Sequence, residues 1–214
     1  MRNQSIKSIN EVNIGKMLQK NKLTLYIVSI LFLLISITSV SAFSGSGSGT
    51  ESDPYQITNC SELNETRNNL TASYELVNDI DCSDTKNWNY NCSGNEVYCG
   101  WKPIGGNTNE FNGVFNGDNH IISNLTINRN TEDYNGLFGK SNSESQIKNI
   151  GVKDVNISAG DRTGSLVGQN YGSISEAFSI GNVNGKYYVG GLIGIDSGSI
   201  NNSYSNNSVD GTNY

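Results

Sequence analysis

The sequence predicts an all-β fold, a parallel β-solenoid with coils of about 25–27 residues. The first observation behind this is a repeated glycine motif, at Gly136–Gly139, Ser165–Gly168 and Gly191–Gly194. The second is that short apolar segments alternate with Gly, Asn, Ser and Asp, without a sustained helical period after the leader. A coil of this length cannot bury its own apolar side chains, so we expect coils to stack about 4.8 Å apart.

A second set of apolar segments gives the period. Ile122–Ile127 aligns with Ile147–Val152 at an offset of 25, and further copies begin at Ile174 and Ile200, at offsets of 27 and 26. A weaker glycine motif, Gly113–Gly117, precedes the other three. A β-propeller is the structural alternative, but a propeller blade needs about forty residues and four strands.

The N-terminal segment, Met1 to Ala42, has the pattern of a secretory leader. Lys16, Lys20 and Lys22 precede the uncharged apolar run Leu23–Val40, and small residues follow it as far as Ala42. We therefore expect a signal peptide that is cleaved after Ala42. Because the apolar run is long, an uncleaved signal anchor is the alternative.

The rest of the chain is expected to have three parts. The Gly/Ser-rich stretch 43–53 predicts a flexible linker, 54–105 a cap with the first coil, and 106–214 the solenoid repeats. The pattern Val183–Tyr188 recurs as Val209–Tyr214 just where the sequence stops. We expect a fragment of a longer protein, because an uncapped solenoid end exposes unpaired strand edges.

Four cysteines, Cys60, Cys82, Cys92 and Cys99, all lie in the predicted cap. An even number of cysteines in an exported chain predicts two disulfides. Of the three connectivities, Cys60–Cys82 with Cys92–Cys99 is favoured, since the second pair closes a short local loop. Zinc is the alternative, although the spacings lack CxxC pairs and no histidine is near.

Charge limits the partners of the exported part. Of the 14 Lys and Arg and 20 Asp and Glu, five and one respectively lie in the leader, which leaves a net charge of −10. An acidic surface repels phosphate backbones, so nucleic acid is not expected, and the absence of a P-loop argues against nucleotides. Extracellular glycans or cell-surface proteins are the expected partners. Membrane contact is expected only through the N-terminal segment or a C-terminal anchor outside this chain.

Asn-x-Ser/Thr triplets are dense after the leader and predict glycan attachment in an exported protein. The candidates are Asn64, Asn69, Asn124, Asn156, Asn201 and Asn206. Asn59 and Asn91 also begin triplets, but each precedes a cysteine and is a poorer candidate. The alternative is chance, since the chain is rich in Asn and Ser.

Neither the motifs nor the titratable residues indicate catalysis. The HExxH and GxSxG patterns are absent, and His120, the one histidine, has no evident catalytic partner, so a structural role is expected. Asp79, Asp81 and Asp84 are a weak candidate Ca²⁺ site, and a solvated strand edge is the preferred interpretation. No other cofactor is expected.

Four aromatic residues are concentrated in the opening segment: Trp88, Tyr90, Tyr98 and Trp101. We expect them to close the first coil as a hydrophobic cap. Stacking on sugar rings is the alternative for any of them that is exposed.

The glycine motifs, together with Phe111–Leu125, Pro54–Ile57, Asn78–Cys82 and Gly100–Gly105, resemble GLUG-repeat proteins. The resemblance covers roughly residues 54–214. It implies a right-handed parallel β-helix of the pectate-lyase-like solenoid superfamily, as in large surface proteins of bacteria and archaea. It also implies a repeat without enzymatic activity, which in some bacteria accompanies the peptidase domain of IgA-cleaving metalloproteases.

We therefore expect a non-catalytic protein, secreted or held at the cell surface, that serves as a stalk or an adhesion module through multivalent contact. One alternative is the N-terminal part of a β-helix polysaccharide lyase or hydrolase. Another is the spacer of a surface metallopeptidase. Stacked acidic and basic residues further along the protein would favour the lyase, and an HExxH motif would favour the peptidase.

Overall fold

The computed structural model describes Gln19, residues 43–92, Gly94 and residues 96–212. The chain divides into two units, Met1–Ala42 and Phe43–Tyr214. The predicted signal peptide and its cleavage after Ala42 lie outside the described residues. Nowhere in the described part is a helix both long and apolar enough to cross a membrane.

The N-terminal cap combines three short strands with short helices. Its elements are β1 (Tyr55–Ile57), α1 (Cys60–Glu65), a 3-10 helix (Thr66–Asn68), β2 (Ser73–Leu76), β3 (Ile80–Asp81) and a second 3-10 helix (Ser83–Asn87).

The coils that follow contain only strands and turns. The strands are β4 (Val114–Asn116), β5 (Ile121–Ser123), β6 (Thr126–Arg129), β7 (Phe138–Lys140), β8 (Gln146–Ala159), β9 (Val167–Asn170), β10 (Ser173–Gly185), β11 (Ile193–Asp196), β12 (Ser199–Asn201) and β13 (Tyr204–Gly211).

These strands pair in parallel from one coil to the next. The larger sheet has the order β1-β2-β4-β8-β10-β12, with β3, β5, β6 and β13 joined beside this path, and a second sheet has the order β7-β9-β11. Ile147 pairs with Ile174, and Ile174 with Ile200, at the spacing read from the sequence. The predicted parallel β-solenoid is confirmed.

The predicted register of the first repeat is wrong. Ile122 pairs with Val152 in the middle of β8, whereas Ile147 pairs with Phe115. The reason is that Ile147–Val152 and Val152–Ile157 carry nearly the same apolar pattern on adjacent sides of one coil. The apolar pattern of Ile122–Ile127 fits both sides of the next coil. Because the first coil is longer than the later ones, Ile122 pairs with Val152, at the start of the second side.

The weak glycine motif Gly113–Gly117 is also misplaced by the sequence alignment. Phe138 pairs with Val167, and Val167 with Ile193, so the three strong motifs do form one column. Ile104, not Val114, bridges to Phe138 from the preceding coil.

Inward-pointing side chains form continuous apolar ladders through the stack. One ladder contains Tyr74, Phe115, Ile147 and Ile174, which are all buried. Full burial of such a side chain contributes about 1.5–3 kcal/mol. Because every rung packs on the rungs above and below it, stability depends on adjacent coils staying in register.

One polar ladder runs from the buried Ser141 and Asn170 to the exposed Asp196. The Ser141 hydroxyl donates to Asn170 Oδ1 at 2.7 Å, and Asn170 Nδ2 donates to Asp196 Oδ1 at 2.7 Å. These three residues occupy the same position in successive coils. These hydrogen bonds provide partners for the amide of the fully buried Asn170, which would destabilise the core if it had none.

Left-handed backbone conformations build the corners. Asn149, Glu176 and Asn202 have φ near 50° at the same corner of three successive coils. Asn tolerates this conformation better than most residues, which explains part of the Asn-rich composition.

The predicted flexible linker is instead folded against the cap. The Phe43 ring lies 4.7 Å from the Tyr55 ring, centroid to centroid. The Gln56 N–H donates to the Ser46 carbonyl, and the Ser73 N–H donates to the Gly49 carbonyl, both at 2.9 Å. Phe43 supplies an apolar anchor that a Gly/Ser linker lacks, so residues 43–53 pack as part of the second unit.

Helix α1 is not predicted from the sequence, because a helix of less than two turns is too short to show a period. The feature of the sequence that marks the start of this helix is its N-cap. Asn59 Oδ1 accepts from the N–H groups of Ser61 and Glu62 at 3.0 Å. The Glu62 carboxylate in turn accepts from the Thr58 N–H at 2.7 Å. Asn59 and Glu62 thus form a variant of the capping box.

The predicted presence of disulfides in the N-terminal region is confirmed. Cys60 is bonded to Cys82, which joins α1 to the segment that follows β3. Cys92 is bonded to Cys99 and closes a short loop.

Candidate functional site

An outer polar face runs across the larger sheet of the solenoid. We define this outer polar face by the outward residues that pair from coil to coil, namely Glu75, Asn116, Lys148, Ser175 and Asn201. Alternate residues of a strand point to opposite sides, so their neighbours in the apolar ladder point inward.

Hydrogen bonds link the first rungs of the outer polar face. Asn116 Nδ2 donates to Glu75 Oε1 at 2.8 Å, and Asn149 Nδ2 donates to Asn116 Oδ1 at 2.9 Å. A shallow groove of about 250 Å³ lies here, lined by Glu51, Glu75 and Lys148 among others. The arrangement can hydrogen-bond a polar polymer along the solenoid axis.

Asp79 binds the turn of the next coil. Its Oδ1 accepts from the Ile121 N–H at 2.9 Å and lies 3.2 Å from His120 Nδ1. The Ile121 N–H, and then the His120 side chain, hold the pKa of Asp79 below its usual range. His120, predicted to be structural, therefore lies at a contact between coils.

Asp81 makes a similar contact. Its Oδ1 accepts from Asn124 Nδ2 at 2.8 Å and from the Ser83 N–H at 3.0 Å. The Asn124 amide, and then Ser83, lower the pKa of this carboxyl. Asp84 lies in the second 3-10 helix and is exposed. In the part of the chain that the structure describes, no three His, Cys, Asp or Glu side chains converge as metal ligands.

The opening aromatic residues separate into two pairs. Trp101 is fully buried, and its Nε1 donates to the Leu137 carbonyl at 3.1 Å. Trp88 packs beside it, with the ring centroids 6.0 Å apart. Tyr90 and Tyr98 are instead 58% and 46% exposed, just before and within the loop that the second disulfide closes. The two tryptophans therefore pack as a hydrophobic cap, as predicted, whereas the two tyrosines are exposed.

Two arginines support Trp101, and the sequence reasoning did not single them out. The Arg67 guanidinium lies 4.5 Å from the Trp101 ring centroid, and burial lowers the pKa of Arg67 to about 10. Arg129 is 4% exposed, donates to the Trp101 carbonyl at 2.8 Å and pairs with Glu132 at 2.6 Å. Isolated arginines carry no pattern that would predict such burial.

The glycan acceptor candidates differ in what their side chains do. Asn64 and Asn69 are half-buried, and their Oδ1 atoms accept hydrogen bonds from Arg67 and Thr71. Asn124 already donates to Asp81 through Nδ2. The other three are exposed on strands of the solenoid: Asn156, Asn201 and Asn206.

Comparison with known proteins finds two relatives in sequence. Halomucin of Haloquadratum walsbyi is 32% identical over 65% of this chain, and the match spans 2% of halomucin. A protein of Evansella cellulosilytica, provisionally named a Gly-rich membrane protein, is 34% identical over 70% of this chain and 17% of its own length. The chain thus spans a small part of either relative. No family model matches the chain, so the GLUG assignment stays a prediction.

A solved structure has a similar fold. It is a crystal structure of a Bacteroides ovatus protein provisionally named an immunoglobulin A1 protease. The TM-score is 0.57 at 26% identity, over 76% of this chain and 50% of that one. Together with the disulfides, these relatives point to a protein of the cell surface or the extracellular space.

Proposed function

We propose that this chain is a non-catalytic module of a longer cell-surface protein, in which stacked coils serve as a stalk or an adhesion surface. The observation that carries this proposal is the use of the polar side chains. Asp79, Asp81 and Asn116 are each hydrogen-bonded to a neighbouring coil, so they hold the stack together. A partner that makes one weak contact with each coil along the outer polar face would bind tightly overall by multivalency.

The relatives support the same proposal. A match that spans a small part of a much longer protein fits a module inside a large molecule. A second candidate role is that of a spacer beside a surface peptidase, which the name of the Bacteroides ovatus protein favours.

Glycans would extend such a surface, and the structure favours three acceptors. Asn156, Asn201 and Asn206 are exposed and begin acceptor triplets. Glycopeptide mass spectrometry of the native protein should find glycans on these residues and an unmodified Asn124, whose Nδ2 is occupied by Asp81. A glycan on Asn124 together with bare strand asparagines would contradict this assignment.

Protease treatment of intact source cells tests the proposed location. Peptides from residues 43–212 should appear in the supernatant while a cytoplasmic marker stays inside. If they appear only after lysis, the surface role is wrong.

A second experiment tests the proposal that the module is non-catalytic. The purified chain should leave acidic and neutral polysaccharides unchanged in chain length, and shortening of either would support the lyase or hydrolase alternative.

A further inference from the structure

A shallow depression in the cap lies apart from the outer polar face. It has a volume of about 320 Å³ and is lined by Ser61, Asn64, Trp88 and Asn89. That volume is at the low end of the range of small-molecule sites, which is about 300–1,000 Å³. The depression is therefore suited to a ligand the size of one ring.

The chemistry of the lining is mixed in a specific way. An indole ring offers a flat apolar surface, while one hydroxyl and two amides offer donors and acceptors. A pyranose ring has the matching pair of features, since its C–H face is apolar and its hydroxyls lie around the rim. Trp88 would stack on the sugar face, and the polar side chains would hydrogen-bond the hydroxyls.

The two walls of the depression are held in place before any ligand arrives. Ser61 and Asn64 are three residues apart on α1, so they share one face of the helix. The Cys60–Cys82 disulfide ties the start of α1 to the segment that leads to Trp88. A rigid site loses less conformational entropy on binding.

The lining side chains are also fixed individually. Asn89 Nδ2 donates to the Gly100 carbonyl at 2.7 Å, and the Gly100 N–H donates to the Trp88 carbonyl at 3.1 Å. Asn64 Oδ1 accepts from Arg67 Nη1, which orients the amide and leaves Nδ2 as its donor. Trp88 itself packs against the buried Trp101.

Charge decides the class of sugar. The four lining residues are uncharged, and the chain as a whole has a net charge of −6. An acidic protein repels uronate and sulfate groups. We infer that the depression at Trp88 binds a neutral pyranose, as one unit of a neutral polysaccharide or glycan. The inference goes beyond the proposed role of the stacked coils and stands without it, because it rests on the cap.

The two tryptophans of the chain provide the assay. The two indole N–H signals of the full chain are followed by NMR during titration with cellohexaose, mannohexaose, xylohexaose and chitohexaose, and with hexagalacturonate as the anionic probe. At least one neutral probe should shift the Trp88 signal with a dissociation constant on the order of 1 mM, as for a small open site. The buried Trp101 signal should stay fixed and also reports that the cap is folded.

Variants separate the site from the rest of the surface. Asn64→Ala should weaken binding about tenfold, the effect of losing one or two hydrogen bonds. Tyr204→Ala is the matched control, since Tyr204 is an exposed aromatic residue in another part of the fold, and it should bind as the parent does.

Three results would overturn the inference. The first is a Trp88 signal that none of the neutral probes shifts up to about 20 mM. The second is a response to hexagalacturonate alone. The third is a glycan found on Asn64 in the native protein, because that glycan would itself fill the depression.

Discussion

Removing one rung of the apolar ladder should destabilise the whole stack. Phe115 is fully buried between Tyr74 and Ile147 of the adjacent coils, and its ring meets that of Phe138 edge to face at 5.3 Å. Phe→Ala at such a site costs about 3–5 kcal/mol, of which about 0.5–1.5 belongs to the aromatic pair. We expect Phe115→Ala to lose that much in the free energy of unfolding.

Urea unfolding followed by tryptophan fluorescence measures this loss, because Trp101 is buried in the cap core. Val114→Ala is the control: Val114 is the half-buried, outward neighbour of Phe115 on β4, and its loss should be below about 1 kcal/mol. Phe115→Leu, which nearly conserves volume, should lose less than about 1.5 kcal/mol and covers the case in which the alanine variant does not fold. Equal losses in Phe115→Ala and Val114→Ala would refute the inward position of Phe115.

Three further predictions concern a contact between coils, a glycine and a disulfide. The lowered pKa of Asp79 adds its full stability only above the ordinary value of 3.8, and this stability is lost as the pH falls from there through the folded-state pKa. Asp79→Asn should flatten that part of the curve measured by thermal unfolding, and an unchanged curve would contradict the contact. Gly181→Ala should cost more than about 2 kcal/mol in the free energy of unfolding, because φ is +152° and a Cβ would lie 2.5 Å from backbone atoms of the adjacent coil. Gly106→Ala is the control: a Cβ there would have open space, so the loss by the same assay should stay within about 0.5 kcal/mol. Replacing Cys60 and Cys82 by serine should cost roughly 3 kcal/mol, the loop entropy for a separation of 22 residues, and a calorimetric change below about 1 kcal/mol would argue against it.

The period and the strand type could be predicted from the sequence because they depend on composition that recurs. Each coil needs inward apolar residues and tight corners, so Ile, Leu and Val alternate with Gly and Asn at a nearly fixed spacing. The spacings that link Ile147, Ile174 and Ile200 are visible in the sequence and hold in the structure.

The register of the first coil could not be predicted in the same way. Ile122–Ile127 matches two sides of the next coil equally well, and only the three-dimensional path selects Val152 as the partner of Ile122. The folded stretch at Phe43 was not predicted either. The aromatic contact between Phe43 and Tyr55 holds a segment whose composition is typical of a flexible linker.

The candidate site was accessible to sequence reasoning only in part. The concentration of aromatic residues in the cap was evident, yet the sequence does not tell the buried Trp101 from Trp88, which lines a depression. The partners Ser61 and Asn64 come from a helix that the sequence reasoning did not anticipate.

A pair of cysteine cross-links tests the central claim, that the outer faces are built from coils stacked in parallel in the observed register. Ser123 pairs with Lys153, so Ser123→Cys with Lys153→Cys should form a disulfide on mild oxidation, because paired strands lie about 4.8 Å apart, within disulfide range. The alignment at an offset of 25 instead pairs Ser123 with Lys148, which the structure places opposite Asn116. A second variant, Ser123→Cys with Lys148→Cys, should form no cross-link. Non-reducing peptide mapping should find the link between positions 123 and 153 and not the link between 123 and 148, and the reverse result would contradict the observed register of the stack.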